Sequence, residues 1–128
     1  MARLDLIGLV VKNMAESLRF YRLLGMEIPA SADADDHVEV VVGGLRIAWD
    51  DLAMIKSFAP DWVEPVGGRM GLAFLCESPA GVDALYDQVV AAGYRSHRAP
   101  WDAFWGQRYA GVVDPDGNVV DLFAPLSG

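Results

Sequence analysis

One order of segments occurs twice along this chain: a short apolar run, a helix that starts with a capping residue, and a hairpin that ends in an apolar strand. In the first half, LIGLVV precedes a helix predicted from Asn13 to about Leu24. In the second half, GLAFLC precedes a helix that starts at Ser78 and Pro79 and ends before Gly93. The length of 128 residues is usual for one domain. The repeat therefore predicts one α+β domain made of two tandem βαβββ units.

Capping and turn residues support the first unit. Asn13 and Glu16 have the spacing of a capping box, in which each side chain satisfies the backbone N–H of the other residue. Gly25 suits the left-handed end of the helix. A short strand is expected over residues 27–30, and the Gly-Gly pair at 43–44 predicts a tight hairpin between the strands HVEVVV and LRIAWD.

In the second unit, strands are predicted over 94–99 and 108–113, and the turn sequence DPDG at 114–117 leads into the last strand, NVVDLF. The segment APWDAFWGQRY, which starts at Ala99, is predicted to be a loop because it contains Pro, Asp and Gly.

The units are placed at residues 3–57 and 70–126, with a connector over 51–69. Its Pro, Gly and aromatic residues predict a structured crossover or flap rather than a flexible linker. A single βαβββ unit exposes one apolar sheet face, so two units must pair, within a chain or between chains. We expect curved mixed sheets around a concave cleft in a domain-swapped homodimer.

Composition limits the partners and the location. Ten basic against 18 acidic residues give a net charge of −8, which disfavours nucleic acid and anionic membrane surfaces. No apolar run approaches the roughly 18 residues that cross a bilayer, and the N-terminus lacks a signal-peptide pattern. The single cysteine forms no internal disulfide. We therefore expect a cytoplasmic protein.

Three segments together resemble the vicinal oxygen chelate superfamily, which includes glyoxalase I, extradiol dioxygenases, fosfomycin-resistance enzymes and bleomycin-resistance proteins. These segments are LVVKNMAESLRFYRLLGM at 9–26, LAFLCESPAGVDALYDQVVAAGY at 72–94 and YAGVVDPDGNVVDLFAP at 109–125. The resemblance covers nearly the whole chain and implies the same two-unit fold.

The resemblance also implies where a metal would be held: a His in the first strand of each unit and a carboxylate in the last strand. The first-strand positions are Leu6 and Gly71 by their spacing to the helix caps, and matching the two hairpins places the last-strand positions at Ala48 and Asp121. One carboxylate is too few, because transition-metal sites use about three or four protein ligands. His97 lies off these positions and is expected to be structural. We therefore expect no metal and no other cofactor.

Aromatic residues provide the candidate binding surface, because APWDAFWGQRY places four large rings within nine residues. In the resembling antibiotic-binding proteins, the corresponding loop and the strand that ends the first unit line a groove at the dimer interface. The acidic candidates would favour a cationic ligand. The predicted ligand-binding residues are His37, Trp49, Asp50, Phe58, Trp62, Trp101, Phe104, Trp105, Tyr109 and Asp121.

The expected function is sequestration of a planar hydrophobic or aromatic molecule, for example an antitumour antibiotic, by a homodimer that confers resistance by holding the drug. One alternative is an enzyme of the same superfamily, either a glyoxalase-like lyase or a ring-cleaving dioxygenase, or a cofactor-free isomerase. Another is a partner-binding module with a flat aromatic patch, and the rings could also pack a dimer interface or a satellite core.

Overall fold

The computed structural model describes residues 1–127 and divides into two compact units between Glu64 and Pro65. The first unit contains β1 (Leu6–Val11), α1 (Met14–Leu23), a 3₁₀ turn (Ala30–Ala34), β2 (His37–Val42), β3 (Leu45–Asp51) and α2 (Leu52–Phe58). The second contains β4 (Leu72–Leu75), α3 (Pro79–Ala91), β5 (Arg95–Ala103), β6 (Gln107–Val113) and β7 (Val119–Pro125). The α+β prediction is confirmed.

In the first unit, three strands form a mixed sheet in the order β1-β3-β2, with β1 parallel and β2 antiparallel to β3. The side chain of Asn13 caps α1 by accepting the backbone N–H of Glu16 at 3.1 Å, which is one of the two hydrogen bonds of the predicted capping box. After the helix, Gly25 adopts a φ of 101°. The core lies between α1 and one sheet face, where the ring of Tyr21 packs 5.5 Å from that of Trp49.

The strand expected over 27–30 is wrong, because a 3₁₀ turn follows at Ala30–Ala34. Arg22 in α1 supplies the reason: its Nε donates to the carbonyl of Ile28 and its Nη2 to that of Pro29, both at 2.8 Å. The same Nη2 also donates to Asp33. These backbone acceptors are thus taken by a side chain, and Pro29 has no N–H to give to a ladder.

In the second unit, four strands form a sheet in the order β4-β7-β6-β5. Ser78 caps α3 by accepting the backbone N–H of Gly81 at 3.0 Å, and Pro79 follows as predicted. Fully buried Val82 and Val89 of α3 face the sheet, so the core of this unit lies between α3 and one face of β6 and β7.

The predicted turn between β6 and β7 is built around Asp114, which is only 4% exposed. Its Oδ1 accepts the backbone N–H groups of Asp116 and Asn118 at 2.9 and 2.8 Å, and its Oδ2 accepts the side-chain amide of Asn118 at 2.8 Å. Gly117 supplies the left-handed residue, with a φ of 89°.

The aromatic-rich segment is a hairpin rather than a loop. β5 continues through Trp101 to Ala103 and pairs with β6, so only residues 104–106 form the turn, where Gly106 has a φ of 89°. Pro100 is accommodated because β5 is an edge strand whose register shifts on either side of Arg98.

Part of the connector is the helix α2, which begins at Leu52 under a cap from Asp51, and this agrees with a structured crossover. Among residues 1–127, no helix has the length and apolar character needed to span a bilayer.

Candidate functional site

The two faces of the second sheet have different roles, because side chains alternate along a strand and paired residues share a face. Toward α3 lie the buried Ala110, Leu122 and Ala124, together with Arg108, which binds Asp83 of the helix at 2.9 Å. α3 does not cover the opposite face. We call it the aromatic face, and define it by Leu75, His97, Arg98, Trp101, Trp105, Tyr109, Asp121 and Phe123.

A single row of apolar side chains crosses the aromatic face. The strand register pairs Trp101 with Tyr109, Tyr109 with Phe123, and Phe123 with Leu75. The rings of Tyr109 and Phe123 are stacked with centroids 6.1 Å apart at an angle of 27°. Each of the four strands therefore contributes one large apolar side chain to a continuous surface.

Trp105 lies in the β5–β6 turn, and its indole stands beside this row; we call this indole the wall. Its ring is nearly perpendicular to those of Trp101 and Tyr109, at 89° and 79°, with centroids 5.5 and 5.2 Å away. Its Nε1 donates to Oε1 of Gln107 at 2.8 Å, which fixes the indole. Because Trp105 is still 48% exposed, its indole and the adjacent row of apolar side chains form a surface that another flat molecule can contact.

A polar row runs beside the rings and contains a gap at Gly111, which pairs with Arg98 on one side and Asp121 on the other. A Cβ on Gly111 would lie 3.2 Å from Cδ2 of His97 and 3.4 Å from Oδ1 of Asp121. The missing side chain thus allows the imidazole and the carboxylate to approach each other over β6.

Tyr109 connects the two rows, because its hydroxyl donates to Oδ2 of Asp121 at 2.9 Å. Burial and, second, this carboxylate raise the pKa of Tyr109 to about 12. The hydroxyl is therefore protonated at neutral pH and remains a donor to Asp121.

The first unit presents a charged network on the sheet face opposite α1. Nδ1 of His37 lies 2.5 Å from Asp50, and its Nε2 lies 3.0 Å from Glu39. The hydrogen bond to Asp50, followed by that to Glu39, raises the pKa of His37. Arg46 donates to Glu39 at 3.0 Å and to Asp5 at 2.5 Å, so the network joins His37 and Arg46 to three carboxylates.

The structure brings together four of the predicted binding residues on the aromatic face: Trp101, Trp105, Tyr109 and Asp121. Phe104 contacts Trp105 at 4.9 Å from within the turn but is 90% exposed. His37 and Asp50 bind each other in the first unit.

The other predicted aromatic residues lie elsewhere in the first unit. Trp49 is fully buried against α1, because its position in β3 places it on the helix side of the sheet, so no open face presents it. Phe58 ends α2 and is 69% exposed, and Trp62 is partly buried in the segment after it.

Sequence reasoning missed Phe123 and Arg98 and treated His97 as structural. Alternation alone places Phe123 on the face of Asp121, two residues earlier. Arg98 and Trp101 share a face although three residues separate them, because the register of β5 shifts between them. A regular alternation of side chains along the strand would place these two residues on opposite faces.

The residues present do not fit the metal site that the fold family implies. Ala48 pairs with Gly8 and Asp121 pairs with Ala73, and Gly8 and Ala73 each lie five residues before a helix cap. The register therefore makes Ala48 and Asp121 equivalent positions, but their neighbours in the first strands lie two residues after the predicted Leu6 and Gly71. Among these strand positions, only Asp121 is a ligand type. Within the described residues 1–127, no group of three or more His, Cys, Asp or Glu side chains is arranged to hold a metal ion.

The sequence profile of the Glyoxalase/Bleomycin resistance protein/Dioxygenase superfamily matches residues 3–122. A glyoxalase/bleomycin resistance protein/dioxygenase family enzyme from Burkholderia phytofirmans PsJN is 20% identical with a TM-score of 0.83, over 98% of this chain and 100% of its own. A glyoxalase-related enzyme from Fulvimarina pelagi is 21% identical with a TM-score of 0.77, over 97% and 88%. Lactoylglutathione lyase from Agrobacterium tumefaciens is 17% identical with a TM-score of 0.63, over 97% and 94%. At these identities the likeness shows the fold alone, and no curated protein matches the sequence.

Proposed function

This chain belongs to the Glyoxalase/Bleomycin resistance protein/Dioxygenase superfamily, and we propose that it binds a planar hydrophobic or aromatic small molecule on its aromatic face without using a metal. The observation that carries the proposal is the apolar row across the second sheet, which has rings on β5, β6 and β7 and Leu75 on β4, with Trp105 standing beside it. The flat ligand stacks on this row, and the edge of the ligand contacts the indole of Trp105.

The number of ring contacts on the aromatic face is sufficient for micromolar affinity. Stacking on one aromatic side chain contributes on the order of 1–3 kcal/mol. Micromolar affinity corresponds to a binding free energy of about 8 kcal/mol. Three strong stacking contacts approach this value when the surface is preformed. The edge contacts of Trp105 and its bond to Gln107 support preformation, because the ligand does not have to order the indole.

The finer proposal is sequestration: the ligand is a natural product such as an antitumour antibiotic, and a cytoplasmic homodimer confers resistance by holding it. The family description, which includes bleomycin resistance proteins, supports this. So does the aromatic face of the second unit, because an exposed apolar surface is normally covered by a ligand or a partner.

Isothermal titration calorimetry tests the binding. Anthracene-2-carboxamide, a neutral three-ring probe, should bind once per chain with a micromolar Kd, whereas the non-planar cyclohexanecarboxamide should not bind. Absence of heat with the planar probe up to 1 mM would overturn the proposal. Bleomycin in the same titration, together with growth of bleomycin-sensitive cells that express the protein, tests sequestration separately.

A second candidate function is metal-independent proton transfer, and the approach of His97 to Asp121 over Gly111 favours it. An imidazole beside a carboxylate can act as a general base on a ligand held by the adjacent rings. A planar compound with an acidic C–H bond next to a carbonyl, such as 2-indanone, is incubated in D2O with the protein and with His97→Gln. Faster exchange of that C–H for deuterium with the protein, which His97→Gln abolishes, would support proton transfer, and exchange at the rate of buffer alone would contradict it.

A further inference from the structure

We infer that the ligand of the aromatic face is an aromatic acid, whose anionic group is bound by Arg98 at the β5 edge. This inference rests on the proposed function and adds the chemical class of the ligand. It differs from the cationic ligand that the acidic composition favours, because it depends on the groups present at the face rather than on the net charge.

The first observation is the position of Arg98. Its guanidinium carbon lies 3.7 Å from the ring centroid of Trp101, which is a cation–π contact at the end of the aromatic row. A guanidinium stacked on a ring still directs its N–H groups outward in its own plane, where they match the two oxygens of a carboxylate. The ring therefore holds a carboxylate-binding group in place.

The second observation is that Arg98 has no carboxylate partner among residues 1–127. Arg22, Arg46 and Arg108 each pair with carboxylates, whereas none of the ion pairs among residues 1–127 involves Arg98. Arg98 is exposed, so its N–H groups are open to an anionic group of a ligand on the aromatic face. Such a group would be the partner that the other three arginines find within the chain.

The acidic groups nearby do not cancel this preference. Asp121 lies two strands away from Arg98, which is about 10 Å at the usual strand spacing, and it already accepts the hydroxyl of Tyr109. The net charge of −8 acts mostly from beyond the screening length of about 8 Å at physiological salt, whereas the Arg98 contact is direct. The ligand is therefore oriented with its acid over β5 and its rings over Tyr109.

A pair of matched probes tests the inference: anthracene-2-carboxylate and anthracene-2-carboxamide, titrated by calorimetry at pH 7.5. The wild-type protein should bind the acid at least tenfold more tightly than the amide. Arg98→Met removes the charge and should reduce the ratio to within about twofold, because it weakens binding of the acid far more than binding of the amide. A circular dichroism spectrum and a urea midpoint like those of the wild type show that the variant is folded.

Arg95→Met is the matched control, because Arg95 lies on the same strand and face and forms none of the ion pairs among residues 1–127. This variant should keep the preference for the acid. Equal binding of acid and amide by the wild type, or an undiminished preference in Arg98→Met, overturns the inference while the binding proposal stands. If neither probe binds, the binding proposal fails and the inference fails with it.

Discussion

Replacing Trp105 with alanine is the most direct test of the aromatic face, because it removes the wall and leaves the row of rings on the strands. The indole meets Trp101 and Tyr109 edge-on and bonds to Gln107. The substitution should therefore affect both stability and binding, each by an amount that the structure sets.

The stability change follows from the exposed fraction. Trp105 is 48% exposed, so about half of the 150–250 Å² that a large aromatic side chain can bury is hidden. At about 25 cal/mol per Å², roughly 100 Å² is worth about 2.5 kcal/mol, and because alanine retains part of it we expect a loss of about 2 kcal/mol. Phe104→Ala is the matched control in the same turn. Since Phe104 is 90% exposed, the change should stay within about 0.5 kcal/mol.

The binding change follows from the lost ring contact. One aromatic contact is worth on the order of 1–3 kcal/mol, so Trp105→Ala should weaken the Kd for anthracene-2-carboxamide at least tenfold. Trp105→Phe keeps a ring but loses the bond to Gln107 and should recover most of the affinity. Urea denaturation measures stability and calorimetry measures binding, so neither readout depends on the deleted fluorophore.

Two results would refute this reasoning. An unaltered Kd in a folded Trp105→Ala protein would remove the wall from the binding site. A loss of stability as small as that of Phe104→Ala would show that the edge contacts of Trp105 do not contribute to the hairpin.

Three further predictions concern single groups. Asp50 raises the pKa of His37, so the unfolding free energy of the wild type should exceed that of His37→Gln by its full amount below about pH 6.5, and by less at higher pH. Urea denaturation between pH 5.5 and 8.5 measures this difference, and an increase of the difference with pH would contradict the prediction. Tyr109 should ionise near pH 12 in an ultraviolet titration, and Asp121→Asn should lower that pKa; no change would mean that burial alone sets it. Asp114→Ala removes the acceptor of three hydrogen bonds at a buried turn and should cost about 2–4 kcal/mol of unfolding free energy, whereas a loss below 1 kcal/mol would contradict the role of this carboxylate.

Much of the fold could be predicted because its local signals are strong and agree with one another. The caps at Asn13 and Ser78 and the DPDG turn all form as predicted. Each involves residues at most a few positions apart, so propensity and hydrogen bonding decide the outcome locally. The missing strand before Ala30 was not predictable in this way, because it depends on where the side chain of Arg22 reaches after the chain has turned.

The candidate site could be predicted only in part, for a related reason. The concentration of rings in APWDAFWGQRY was visible in the sequence, and Trp101, Trp105 and Tyr109 do meet. The assignment of Trp49 required knowing which face of β3 the helix covers. Arg98 joins the site only through a register shift in β5, which depends on pairing with β6 rather than on any local pattern.

The contacts of Arg22 also bear on the edge of the first sheet. By holding the carbonyls of Ile28 and Pro29 it leaves the first sheet at three strands, with the valine-rich β2 at its edge and Val41 and Val42 largely exposed. An unprotected edge of this kind is a template on which other chains can add strands and aggregate. His37 and Glu39 place ionisable side chains on that strand, and we expect them to oppose the addition of strands from other chains.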